Sequence, residues 1–159
     1  MNRKFIIADP EKCTGCRVCE LICSASKDKT FNPRMSRIKA VKIEPAFDTA
    51  MTCRLCDKPS CVKFCPRKAM RQDERTGVII VDEKRCDGCG WCAQVCKFGA
   101  VTQHPVKKVV VMCDLCGESP RCIEFCAPKA LELTTIDAIS EKSRRLRGEE
   151  LKNNLESRS

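Results

Sequence analysis

The chain has 159 residues, sixteen of them cysteine, with a formal net charge of +9, only 4% aromatic residues, one Trp and no Tyr. Large side chains therefore cannot supply the core, and a chain of this size with so thin a core is held together by disulfides or by metal. No apolar run approaches the roughly eighteen residues of a membrane span, and Phe5–Ala8 is too short for a signal-peptide core, so the expected compartment is the cytoplasm, where thiols stay reduced.

From the N-terminus, KFIIA (beginning at Lys4) predicts a first strand, followed by the cysteine group Cys13, Cys16, Cys19 and Cys23. RIKAVKI (Arg37–Ile43) predicts a second strand within 24–52, the longest cysteine-free connection before the tail. The second group, Cys53, Cys56, Cys61 and Cys65, leads to a strand at GVIIV (Gly77–Val81). The third, Cys86, Cys89, Cys92 and Cys96, leads to one at KKVVVM (Lys107–Met112). After the fourth, Cys113, Cys116, Cys122 and Cys126, LELTTI (Leu131–Ile136) predicts the last strand. The three residues before each final cysteine (ELI, VKF, AQV and IEF) end in an apolar side chain and predict one short helical turn per group. From Ala138 the chain is polar, with Ile139, Leu146, Leu151 and Leu155 at loosely helical spacing. This tail is expected to be a docking helix or a disordered end.

The groups repeat. The first and third share C-x2-C-x2-C-x3-C, and the second and fourth widen the middle gap, so the order A, B, A, B points to duplication of a two-group unit. Asp9 and Asp82 each stand four residues before a first cysteine, and Gly15 and Gly88 just before a second. Glycine there suits a loop that must curl closely around a metal core. Ala69, Ala100 and Ala130 each follow a last cysteine by four residues, where the first group has Lys27.

Sixteen thiols divide equally well into eight disulfides, four zinc sites or four 4Fe–4S clusters. A reducing compartment disfavours the first. Zinc sites usually join two separated C-x2-C knuckles across a longer loop, whereas three or four cysteines in one run is ferredoxin spacing. Thiolate softness suits either metal, so spacing decides. A cluster with four thiolates carries about −2, so four of them bring the loaded chain near +1 and remove the charge argument for nucleic acid. A zinc-bearing nucleic-acid module is the competing reading. No G-x-G-x-x-G, Walker sequence or nucleophile arrangement occurs, and no cysteine is left over for one. His104, followed by Pro105, is expected in a turn with a structural or exposed role.

CRLCDKPSCVKFCPRKAM (beginning at Cys53) and CDLCGESPRCIEFCAPKAL (beginning at Cys113), with the alternating group order, resemble the four-cluster ferredoxin-type subunits of complex iron–sulfur oxidoreductases. The resemblance covers the chain to about Ile136. It implies an α+β fold of two pseudo-symmetric bacterial 2×(4Fe–4S) ferredoxin-like modules with short β-hairpins, the inner inserted in the outer. The outer module would be 1–52 and 108–137, the inner 53–107, and 138–159 the tail. In ferredoxins of this spacing the fourth cysteine of a run serves the neighbouring cluster. The family pattern further implies that the first group pairs with the fourth and the second with the third. Four ligand sets follow: Cys13, Cys16, Cys19 and Cys126; Cys113, Cys116, Cys122 and Cys23; Cys53, Cys56, Cys61 and Cys96; Cys86, Cys89, Cys92 and Cys65.

The implied function is a non-catalytic electron-transfer subunit. It would link the active site of a catalytic oxidoreductase to a second redox subunit or soluble carrier, without nucleic acid or membrane insertion. Tungsten or molybdenum pterin enzymes acting on aldehydes or formate are favoured as the partner, ahead of hydrogenase and carbon monoxide dehydrogenase. A free, diffusible polyferredoxin is the alternative, disfavoured by the surplus of basic residues. The chain departs from the family pattern in one respect: proline follows only Cys65, and Ser24, Lys97 and Ala127 take the equivalent places. Lys97 sets a cation beside a ligand and is expected to favour the reduced cluster. Trp91 is expected to shield one.

Overall fold

Cysteine loops cut the chain into short pieces, and in the computed structural model, which describes residues 3–156, every sheet has only two strands. β1 (Phe5–Ala8) pairs antiparallel with β8 (Leu131–Thr134), Phe5 facing Thr134, and so joins the two ends of the cysteine-bearing region. β2 (Lys39–Ile43) and β3 (Phe47–Met51) form a hairpin in the long connection. β4 (Met70–Gln72) pairs with β5 (Ile79–Val81) between the second and third cysteine groups. β6 (Thr102–Gln103) pairs with β7 (Val110–Val111) between the third and fourth. The fold is thus a small α+β one of short antiparallel pairs. KKVVVM contributes only two residues of strand. FDTAM, MRQ and TQ carry little strand signal of their own and become strands because a partner lies beside them.

The helices are uneven. α1 (Val18–Asp28) runs eleven residues, past Cys23, where a single turn was expected. Ser24 replaces the proline that would stop it, and its buried hydroxyl donates to the Leu21 carbonyl at 3.0 Å while accepting from the Asn32 amide at 3.1 Å. α2 (Ser60–Lys63), α3 (Trp91–Gln94) and α4 (Arg121–Glu124) are the expected single turns, set slightly earlier so that each contains its group's third cysteine. The tail is helical: α5 (Ile136–Glu156) is preceded by Thr135, whose hydroxyl accepts from the Ala138 amide at 3.3 Å and caps the first turn. Its first turns lie along the β1–β8 ribbon, with Ile139 on the core and Lys142 facing Glu132 at 3.7 Å, and the rest is exposed.

The core is thin, as composition requires. Ile6, Ile38, Leu55, Leu115 and Val110 are its best-buried large aliphatic members, and the cysteines themselves fill much of the remainder. His104 is buried here rather than exposed in its turn. Its Nδ1 accepts from the backbone amides of Val106 and Lys107, which leaves the proton on Nε2, 3.3 Å from Asp28 at the end of α1. Burial pushes the Asp28 carboxyl up, but bonds to Arg37 and His104 outweigh it and hold the group below the usual carboxylate range. A lowered folded-state value means that Asp28 contributes its full stability above about pH 4 and loses it as pH falls further. His104→Ala is expected to cost about 1–3 kcal/mol by leaving Asp28 short of a donor in a buried place. The urea midpoint of the cluster-loaded protein, compared with wild type near neutral pH, measures it.

Candidate metal centres

All sixteen cysteines are free thiols. A cavity of about 170 Å³ opens among Cys53, Cys56, Cys61 and Cys96, closed on its apolar side by Ile79, Met112 and Ala100. A tighter one is lined by Cys65, Cys86, Cys89 and Cys92. Each draws three cysteines from one group and the fourth from the other. Cys23, Cys113 and Cys116 lie near enough to Cys122 for charge on them to raise its thiol. Cys13 and Cys16 act in the same way on Cys19. Cys126 follows α4, which packs on α1. Among the described residues no three His, Cys, Asp or Glu converge tightly enough for a single metal ion.

The loops that present these thiols share one backbone device. The residue before each second cysteine is left-handed: Gly15 (φ +64°), Leu55 (φ +48°), Gly88 (φ +69°) and Leu115 (φ +57°). Glycine adopts this conformation freely, and leucine at some strain. Leu55 and Leu115 are 2% and 4% exposed, so burial of their side chains offsets the strain. Sequence reasoning found the two glycines and missed the two leucines. In two loops the Asp after the first cysteine accepts from the second cysteine's amide, Asp87 from Cys89 at 3.2 Å and Asp114 from Cys116 at 3.1 Å.

The repeated alanines also acquire a role. Ala69 and Ala100 are buried behind left-handed Lys68 and Gly99, and their amides donate to the Sγ atoms of Cys65 and Cys96 at 3.3 and 3.4 Å. The first group has Lys27 at that position, and a distant segment supplies the bond instead: the Arg37 amide donates to Cys23 Sγ at 3.3 Å. Nothing in the local sequence announced Arg37. Buried Glu20 was also missed. It accepts from Arg17 Nε at 2.7 Å and from the Ala40 amide at 3.1 Å, tying the start of α1, beside Cys19, to β2.

Cations stand near the first cavity, whose wall includes Arg54, Lys58 and Lys97. Arg54 lies over the Phe5 ring at 5.4 Å and the Phe98 ring at 5.9 Å. Trp91, expected to shield, is 55% exposed at the start of α3 and covers little. Burial pushes the thiols of Cys53, Cys61 and Cys92 up to about 11 and those of Cys19 and Cys113 up to about 12, with Cys122 higher still. These groups are therefore protonated without metal, and metal loading must release protons. An all-thiolate donor set around a cavity wider than one ion fits an iron–sulfur cluster, each cysteine binding its own iron.

Residues 46–136 match the family of the 4Fe-4S dicluster domain. The chain is 41% identical to the polyferredoxin-like subunit of an aliphatic sulfonate oxidoreductase of Pyrococcus furiosus, over 79% of this chain and 72% of that protein. It is 35% identical to the electron transport protein HydN of Escherichia coli, over 91% and 97%. It is 33% identical to a subunit of that organism's anaerobic dimethyl sulfoxide reductase, over 84% and 74%. Its backbone is similar to one in the active-site complex BamBC of benzoyl coenzyme A reductase with benzoyl-CoA, at a TM-score of 0.51 and 22% identity over 98% of each.

Proposed function

The chain belongs to the 4Fe-4S dicluster domain family, and from that membership we propose that it is the electron-transfer subunit of an oxidoreductase complex, with its sixteen cysteines dedicated to four 4Fe–4S clusters. The ligand sets in this reading are Cys13, Cys16, Cys19 and Cys126; Cys113, Cys116, Cys122 and Cys23; Cys53, Cys56, Cys61 and Cys96; and Cys86, Cys89, Cys92 and Cys65. The cavity shared by Cys53, Cys56, Cys61 and Cys96 carries the proposal. When bound, a fully ligated cluster supplies reversible storage of one electron and offers no open position to a substrate.

The chain's own residues set how easily that electron is held. Amides of Ala69, Ala100 and Arg37 donate to ligating sulfurs and withdraw charge from them. Ile79 and Met112 line the first cavity with apolar surface, while Arg54, Lys58 and Lys97 would answer the negative charge of a cluster there. Lys97→Gln is expected to move one of four reduction potentials to a more negative value and leave three in place, read by an EPR-monitored redox titration.

Two nested modules, 1–52 with 108–137 around 53–107, belong to the same reading. The β1–β8 pairing, which joins the ends of the outer segments, supports it. The β6–β7 hairpin spans the 107/108 boundary, so the modules would share that ribbon. The partner in this reading is a catalytic oxidoreductase subunit, of the tungsten or molybdenum pterin type by preference, in the cytoplasm. The relatives are named as subunits or electron transport proteins, which supports a catalytic partner of some kind. No helix among the described residues is long and apolar enough to cross a membrane. Anaerobic purification tests the whole proposal. A brown protein with about sixteen irons and sixteen sulfides per chain and reduced-state cluster EPR is expected, together with a co-purifying catalytic subunit. A colourless, zinc-stoichiometric preparation would overturn it.

A further inference from the structure

A different cleft, of about 560 Å³, opens between α1 and the loop leading into α4. Its lining includes Cys116, the cations Lys27, Lys29 and Arg121, and the rings of Phe31 and Phe125. Among the described residues no carboxylate lines it. Lys27 is engaged by Asp114 just outside. The Lys29 ammonium meets only the Ser26 carbonyl, at 3.4 Å, and Arg121 makes no ion pair among the described residues. Phe31 is 74% exposed and Phe125 49%. In a chain so poor in aromatics, two phenylalanines left beside unpaired cations have no use in the core.

The combination is specific. A permanent subunit interface is largely apolar and disfavours unpaired charge at its centre, whereas short-lived redox encounters use small contacts steered by complementary charge. Here the charge is positive, two exposed phenylalanines supply apolar contact, and a cysteine of the metal-binding set is part of the lining. From this we infer that the Lys29–Arg121 cleft is the docking surface of an acidic one-electron carrier protein. One electron passes between the reduced carrier and the chain by way of the Cys116 edge. The carrier is oxidised by one electron and the chain reduced by one, and no bond or proton is exchanged. The inference rests on the electron-transfer reading proposed above and adds the face and the chemistry of the partner.

The test uses the full cluster-loaded chain, with a dithionite-reduced acidic 2[4Fe–4S] ferredoxin as the carrier and methyl viologen as a small dye. Stopped-flow absorbance reads the rate of electron transfer for wild type, for the pair Lys29→Glu with Arg121→Glu, and for Arg144→Glu on the distant α5. At low salt the paired variant is expected to react with the ferredoxin on the order of tenfold more slowly, with the difference shrinking as salt rises. Arg144→Glu and the rates with methyl viologen should match wild type. Zero-length carbodiimide cross-linking to the ferredoxin should map to Lys29 and be lost in Lys29→Gln. Equal slowing by Arg144→Glu, or no slowing by the paired variant while the dye still works, overturns the cleft and leaves the electron-transfer reading intact. Loaded chain that cannot be reduced even by the dye overturns both. Protection of Lys29 from acetylation by acetic anhydride in the complex with the co-purified catalytic subunit would assign the cleft to that subunit and overturn the carrier.

Discussion

Cys96→Ser is expected to disable the cluster of the second cysteine group, not that of the third to which Cys96 belongs in sequence. Cys96 shares its cavity with Cys53, Cys56 and Cys61, and burial together with the neighbouring thiols, Cys96 included, raises Cys61. Cys65 makes the reciprocal crossing, lining a cavity with Cys86, Cys89 and Cys92. In the proposed assignment serine at 96 removes one thiolate of four from the 53/56/61 site and leaves the 86/89/92 site complete. Iron should fall by up to about a quarter, and one EPR signal should change or vanish. Cys65→Ser should alter a different signal. If Cys96→Ser and Cys92→Ser instead perturb the same signal, the crossed assignment is wrong. The crossing also predicts cooperative loss. In that assignment each fourth cysteine would tie two distant segments through metal, so removing one should lower the stability of the whole fold as well as of its own site.

Gly88→Ala should be the most damaging of the single-methyl substitutions at glycine. A Cβ there would sit 2.1 Å from the Lys108 carbonyl oxygen, a backbone atom of the β6–β7 turn that cannot swing away. That turn is held by the Lys108 amide bonding the His104 carbonyl at 3.0 Å and by the buried His104 ring. The left-handed φ alone costs alanine about 1–2 kcal/mol, and the clash with fixed backbone takes the expected loss to about 3–5 kcal/mol. Gly99→Ala isolates the strain, because nothing lies within 4 Å of its Cβ position. Gly15→Ala falls between them, because its nearest neighbour is the Asp48 side chain, at 2.4 Å. Urea midpoints of the three loaded variants give the ranking, and iron content reports Gly88→Ala if that variant does not stay folded. A Gly88→Ala protein as stable as Gly99→Ala would contradict the close approach.

The order of those three glycines shows where sequence reading stops. Gly15 and Gly88 were both legible as loop glycines because each precedes a second cysteine, yet only the structure distinguishes a side-chain neighbour from a backbone one. Leu55 and Leu115 occupy the same left-handed place without any sequence signal. What tolerates them is burial, a property of the surroundings and not of the residue. Ala69, Ala100 and Ala130 were visible as a repeat without a reason, and the reason at the first two is an amide aimed at sulfur. Arg37 does the same for Cys23 from beyond α1. His104 was assigned to a turn, which is right, but its burial against Asp28 depends on where α1 ends.

The chemistry was legible along the chain: sixteen thiols in four runs, at a spacing that selects iron–sulfur clusters over zinc and disulfides, on a chain poor in large side chains. Cysteine spacing is a local property, and metal geometry acts on it locally. Folding was needed to bring Cys96 beside the second run and Cys65 beside the third, to aim amides at sulfur, and to gather unpaired cations around an open cleft. Those are contacts between segments far apart in sequence. They follow from how the short strands pair and where α1 stops, and no local pattern records either.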